Sequence, residues 1–266
     1  MLRYNHTLVE RKWLKTIQEE KRAAGDCPRA CTVLVPGHSP GVALENARLL
    51  VLTDFFASLA WGRRFVHCAL GGEKGFLDSM ASLGVAPTPA SGEKEFQLAV
   101  VPRDFARLGR GLAFQKVVYS GRLLGGWDLD LLHTDFGGDA LRLYFLFQGP
   151  PERDYTFNWF GLVSAHRFVQ RVWRLAHSLE GSANLVSGAL EELAAVVRSR
   201  SGQAKPHTAL AAIMGYLKNK TALSPWEVRA VAALLQPFAP FLSAELTSLV
   251  APVQNDHHGQ GDQADG

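Results

Sequence analysis

The spacing of apolar positions changes near residue 150. Before that point, short β-branched runs alternate with helical patterns; after it, only helical spacing remains. Val9, Trp13 and Ile17 recur at i, i+4 and i+8, which predicts an amphipathic helix over 6–22. CTVLVPG (31–37) reads as a buried strand stopped by Pro-Gly, and FVHCAL (65–70) as a second strand closed by GGEKG. Between them, residues 39–64 read as a loop and then a long helix ended by Gly62. This strand–helix–strand order predicts a nucleotide-binding type of α/β fold with a parallel sheet. Residues 84–95 are rich in Pro, Gly and Ser and read as a loop. FQLAVV (96–101) reads as a further strand, and a helix is expected around Arg103–Leu112. LRLYFLF (141–147) fits a strand or a buried helix equally well. Helical periodicity over 160–179, 183–200, 206–221 and 225–250 predicts an all-α bundle. The polar, glycine-rich segment 251–266 is expected to be disordered, its His257-His258 pair included.

Composition narrows the class. The 266 residues carry a net charge of +3, which permits a nucleic-acid partner without arguing for one. The longest apolar runs fall far short of the roughly 20 residues of a membrane helix, and no basic, apolar leader is visible. A cytoplasmic protein without membrane association is expected. Cys27, Cys31 and Cys68 are too few for a disulfide framework, and reduced thiols are expected; with His67 they form at most a weak zinc pattern, so no metal is expected.

Several segments carry a family resemblance. GGDALRLYFLFQGPPERD (137–154), followed by FGLVSAHRFVQRVWRL (160–175), resembles the leucyl-tRNA synthetases. YNHTLVERKW (4–13), TALAAIMGYLK (208–218) and LLQPFAPFLSAELTSLV (234–250) resemble further segments of that family, in the same order. The resemblance implies a class I Rossmann-type catalytic domain over 1–150 and an anticodon-binding-like helical bundle over 151–250. It also implies that the large editing insertion is missing, and with it any proofreading role.

The two ATP motifs of the family are degenerate. Where a HIGH sequence is expected, this chain has SPGVALENAR. Alignment on Gly41 puts the histidine positions at Leu44 and Ala47; alignment on Arg48 puts them at Ala43 and Asn46. Glu45 adds negative charge where polyphosphate would lie. Where a KMSKS loop is expected, residues 120–136 hold no lysine, and Arg122 is the only cation near the loop. Clamps of this kind contribute roughly 3–4 kcal/mol per donor to the rate, so ATP is not expected as a cofactor.

An amino-acid pocket is still expected. Glu73 aligns with the family's ammonium-binding carboxylate, with Gly71 and Gly72 beside it and Gly37 in the facing turn. His38 and Ser39 are the neighbouring base and nucleophile candidates, although adjacent side chains point apart on an extended chain. On the bundle, Arg167, Arg171 and Arg174 share a helix stripe and Lys218 adds to it, which is a candidate tRNA contact or a solvated face. Tyr155, Phe157, Trp159 and Phe160 form either a protein-partner surface or packing at the domain junction. Three roles are therefore open. The first is an enzyme acting on an amino acid or a pre-activated aminoacyl group such as aminoacyl-tRNA, in a specialised biosynthetic pathway. The second is a non-catalytic module that binds tRNA or a synthetase. The third is a residual ATP-dependent ligase.

Overall fold

The computed structural model describes residues 3–21, 27–178 and 188–250; the segment 251–266, with its histidine pair, lies outside the described residues. Helix α1 (His6–Lys21) leads into strand β1 (Arg29–Val33), the long helix α2 (Pro40–Trp61), strand β2 (Val66–Leu70) and the short helix α3 (Lys74–Ser79). Strands β3 (Thr88–Pro89), β4 (Glu95–Pro102) and β5 (Ala113–Ser120) complete one sheet of order β3-β2-β1-β4-β5, parallel at every pair. The order reverses between β1 and β4, so the strand ends diverge there. That is the topological switch point at which open α/β sheets bind ligands.

Helix α2 explains itself in sequence. Pro40 fixes the first turn, Ser39 caps it, and Gly62, in the left-handed region at φ 68°, ends it. Residues 44–58 are all buried, so the helix is apolar on every side and runs between the sheet and the helices that follow. Most of its polar residues are engaged, although the buried Ser58 hydroxyl has no partner among the described residues. Asn46 accepts from the Val35 amide at 2.8 Å and donates to the Val35 carbonyl at 2.9 Å, fastening the end of the first strand to the helix.

Two expectations change after β4. The segment expected as a helix around Arg103–Leu112 is a 3₁₀ turn over Arg103–Gly109, broken by extended-leaning Phe105 at φ −116°. The lysine-free segment 120–136, where a loop is expected, holds a helix, α4 (Leu129–Phe136), capped by the Asp128 carboxylate. Strands β6 (Leu123–Leu124) and β7 (Tyr155–Thr156) pair as a separate ribbon. The ambiguous run 141–147 is a buried helix, α5 (Gly138–Phe147). Helices α6 (Trp159–His177), α7 (Gly188–Gly202), α8 (Pro206–Leu217), α9 (Pro225–Leu235) and α10 (Pro240–Leu249) follow. The span 225–250 holds two helices, because Pro237 and Pro240 lack the amides an unbroken helix needs. One apolar core runs continuously from the sheet into these helices.

Candidate functional site

The strand ends and their turns enclose a cavity of about 840 Å³. Leu34, Val35 and Pro36 continue β1 into it, Leu70 ends β2, and Phe76 and Leu108 close the sides. Gly37, His38, Gly71, Gly72 and Glu73, five of the residues expected from sequence, all line it. Gly71 and Gly72 adopt φ of 91° and 83°, left-handed conformations that carry the chain sharply away from β2 and keep the mouth open. A Cβ on Gly72 would come within 2.7 Å of the Leu34 side chain. Glu73 sits at the N-cap of α3 without capping it, so its carboxylate is directed elsewhere. His38 Nδ1 lies 3.8 Å from Glu73 Oε1, both side chains mostly exposed at the rim. Phe76 and Leu108 were not read from sequence; the signal available was their place just beyond the ends of β2 and β4.

Ser39 does not join this group. Its Oγ accepts from the Val42 amide at 3.3 Å as the cap of α2, and it faces a different recess from the one His38 lines. Ser39 and Glu45 line a separate, shallower recess with Arg122 and Gly125-Gly126. There the backbone of the 122–126 turn lies directly on the start of α2: a Cβ on Gly126 would meet the Gly41 nitrogen at 3.1 Å. The helix end that would face a nucleotide is covered by the chain's own backbone.

The positions aligned with the ATP motif are structural. Leu44 is core. Glu45 is 1% exposed and accepts from Arg122 Nε at 2.7 Å, so the negative charge and the one nearby cation read from sequence are paired with each other. The hydrogen bond to Glu45 raises the pKa of Arg122. Asn46 is the clamp described above. Arg48 is buried, donating to Ser120 Oγ at 2.8 Å and to the carbonyls of Gly121 and Pro151. Burial pulls its pKa down to about 10.

The bundle stripe is also divided. Arg171 donates to the carbonyls of Leu217, Lys218 and Lys220 at 2.7, 2.6 and 3.2 Å, so it caps the C-terminus of α8. Arg167, Arg174 and Lys218 are exposed. Arg167, Arg171 and Lys218 line a cleft of about 380 Å³ with Phe147, Phe168 and Met214; Arg174 stands apart. Of the four aromatics over 155–160, Tyr155 and Phe157 pack against the core, whereas Trp159 and Phe160 remain at the surface. The weak zinc pattern dissolves. Cys31 and Cys68 are paired neighbours on one face of the sheet, and His67 points to the other, where its Nε2 meets Thr32. No group of three or more potential metal ligands occurs among the described residues, and no helix among them is long and apolar enough to cross a membrane.

No protein-family model matches the chain. It is 28% identical over 176 residues to a leucine–tRNA ligase of Desulfatibacillum aliphaticivorans, covering 52% of this chain and 20% of that protein. It is 32% identical over 154 residues to the leucine–tRNA ligase of Nitratidesulfovibrio vulgaris strain DP4, covering 45% of this chain and 18% of that one. Among solved structures, the LeuRS of Agrobacterium radiobacter K84, in a ternary complex with tRNA and LeuAMS, aligns with a TM-score of 0.47 at 17% identity. That alignment covers 59% of this chain and 27% of the other. The chain therefore matches about a fifth of the length of these curated relatives. It is a leucyl-tRNA-synthetase-like protein of the class I, Rossmann-type kind.

Proposed function

We propose that this protein binds an amino acid or aminoacyl group in the cavity at the sheet's switch point and acts on groups activated elsewhere, such as aminoacyl-tRNA. In this reading it does not run ATP-dependent activation. The observation that carries the proposal is the contrast between the two ends of the site. The cavity beside Glu73 and His38 is open, while the start of α2 is covered by Gly125-Gly126 and its nearby cation is paired to Glu45. Glu73 receives the substrate ammonium as a charge-assisted hydrogen bond. His38 is the one imidazole lining the cavity and takes the proton of an attacking amine or hydroxyl. That nucleophile adds to the ester carbonyl, the carbonyl–oxygen bond to tRNA breaks, and the tRNA hydroxyl leaves with the proton. Ser39 has no part in it, because its hydroxyl caps α2. The exposed Arg174, which stands apart from the bundle cleft, supplies a phosphate contact for the tRNA.

Glu73 and His38 are 78% and 82% exposed in their side chains, which favours a second reading as a binder without chemistry, since water weakens electrostatic stabilisation. Incubation with labelled aminoacyl-tRNA and an amine acceptor separates the two. Transfer that falls about 10- to 100-fold in Glu73→Gln, the loss expected of one hydrogen bond to a charged group, supports the enzyme. Binding without transfer leaves the binder. Exchange of pyrophosphate into ATP in the presence of leucine would sink both.

A further inference from the structure

The surface around the start of α6 is apolar at its centre and oppositely charged on its two sides. Five of the twelve large apolar side chains exposed among the described residues gather here: Trp127, Leu131, Phe147, Trp159 and Phe160, the last 85% exposed. Trp127 and Trp159 are in ring contact, Phe160 is next on α6, and Leu131 and Phe147 lie on the neighbouring α4 and α5. Trp127 packs edge-on to Trp159 with ring centroids 4.7 Å apart, and Trp159 touches Phe136 of α4 at 6.0 Å. Phe160 follows on α6 and shares a face with Ser164, Arg167 and Arg171 at i+4, i+7 and i+11, the face that borders the 380 Å³ cleft beside Phe147. On the α4 side, Leu131 lies between Asp128 and Asp135, at i−3 and i+4 on the same face, and neither carboxylate has an ion pair among the described residues. On the cleft side the exposed charges are Arg167 and Lys218, also without a carboxylate partner among the described residues.

A patch built this way is self-complementary. A two-fold axis through Trp159 and Phe160 lays the acidic half of one molecule on the basic half of another and buries both aromatic centres, the arrangement an isologous interface requires. Exposed apolar strips of this extent mark interaction sites, and opposed charges around them set the register. We propose that this face is a dimer interface occupied by a second copy of the chain. The cleft is lined by apolar side chains and by the cations Arg167 and Lys218, with Ser164 Oγ bonded to the Phe160 carbonyl at 2.6 Å, so it presents an apolar floor edged by positive charge. An apolar side chain with a carboxylate beside it, such as Leu131 with Asp135, suits that combination.

Sedimentation equilibrium of the full chain tests this. A monomer–dimer equilibrium is expected, and Phe160→Asp raises its dissociation constant about thirtyfold, as loss of a central aromatic anchor does. Arg167→Glu and Asp135→Lys each weaken the dimer about tenfold, and the double variant recovers to within about threefold of the unmodified chain. Phe160 and Asp135 are exposed, so these variants keep the fold, as circular dichroism will show, and neither belongs to the residues offered for tRNA or the aminoacyl group. A monomer at every accessible concentration overturns the proposal. So does a dimer indifferent to Phe160→Asp, or charge reversals that do not rescue one another.

Discussion

His67 is the residue whose chemistry is most fully determined by its neighbours. The Leu49 carbonyl can only accept, and it takes the Thr53 hydroxyl proton at 3.1 Å. Thr53 in turn accepts from Thr32 at 2.7 Å, so the Thr32 oxygen is left to accept from His67 Nε2 at 2.7 Å. The neutral ring therefore carries its proton on Nε2, and Nδ1 is buried without a partner among the described residues. A second proton would create a buried, unsatisfied cation, and burial lowers the pKa from 6.5 to about 4. Between those values the unfolded chain binds a proton that the folded chain refuses, so stability falls as pH falls through that window. Asp139, pushed up to about 7 by burial, acts in the opposite sense, since the folded chain there holds a proton the unfolded chain releases. Comparing variants isolates the histidine. From pH 6.5 to 4, His67→Gln is expected to lose about 3 kcal/mol less unfolding free energy than the unmodified chain. Urea titrations with parallel pH slopes would refute this. None of it was readable from sequence, where His67 stood out only as a possible metal ligand beside two cysteines. Strand alternation sends it to the opposite face from them.

At the scale of elements, α2 shows what a local pattern can and cannot tell. Its start and stop were legible because Ser39, Pro40 and Gly62 act through their own backbone preferences. Whether the Ser39 hydroxyl was chemical or structural depended on whether the helix took it up as a cap, which the spacing alone left open. Ser39→Ala is therefore expected to cost about 1 kcal/mol of stability, the usual worth of an N-cap, and to leave aminoacyl transfer unchanged. A loss of transfer with stability intact would return Ser39 to the site. Helix α4 went unread for a different reason. The missing lysines mark 120–136 as a lost loop motif and say nothing of its backbone, yet Asp128 followed by Leu129, Leu132 and Phe136 is a capped amphipathic turn. The turns that hold Gly71, Gly72 and His38 announce themselves through glycine and proline at strand ends, whereas Glu73 was expected only through the family resemblance. Their convergence on one cavity depends on the parallel register of β1 and β2, a long-range property that no single segment encodes.

Across the whole molecule, two side chains on α5 join the sheet to the bundle. Asp139 accepts from the Phe241 and Leu242 amides at the start of α10 and from the Tyr4 hydroxyl, while Arg142 is fully buried among acceptors from both sides. Arg142 donates to Asp54 of α2 at 2.9 Å, to the Leu83 carbonyl at 3.0 Å, and to the carbonyls of Pro237 and Phe238 at 2.6 and 3.2 Å. Lys21 meets the same Asp54 from α1, with burial lowering its pKa to about 8. The sequence change near residue 150 marks where strands stop, and the core does not divide there, because α5 faces α2 on one side and α6, α8 and α10 on another. Sheet and helices should accordingly unfold together, in one transition with matching calorimetric and van't Hoff enthalpies. Arg142→Met keeps much of the side-chain volume but leaves three interior carbonyls and one oxygen of Asp54 without their donor, while Lys21 still pairs with the other oxygen. Breaking a buried pair in this way costs about 3–5 kcal/mol, so the thermal midpoint should drop steeply. A separate, earlier transition of the bundle in the unmodified chain, or an Arg142→Met midpoint within a degree or two of it, would show that the two halves are stabilised independently and that α5 is not what couples them.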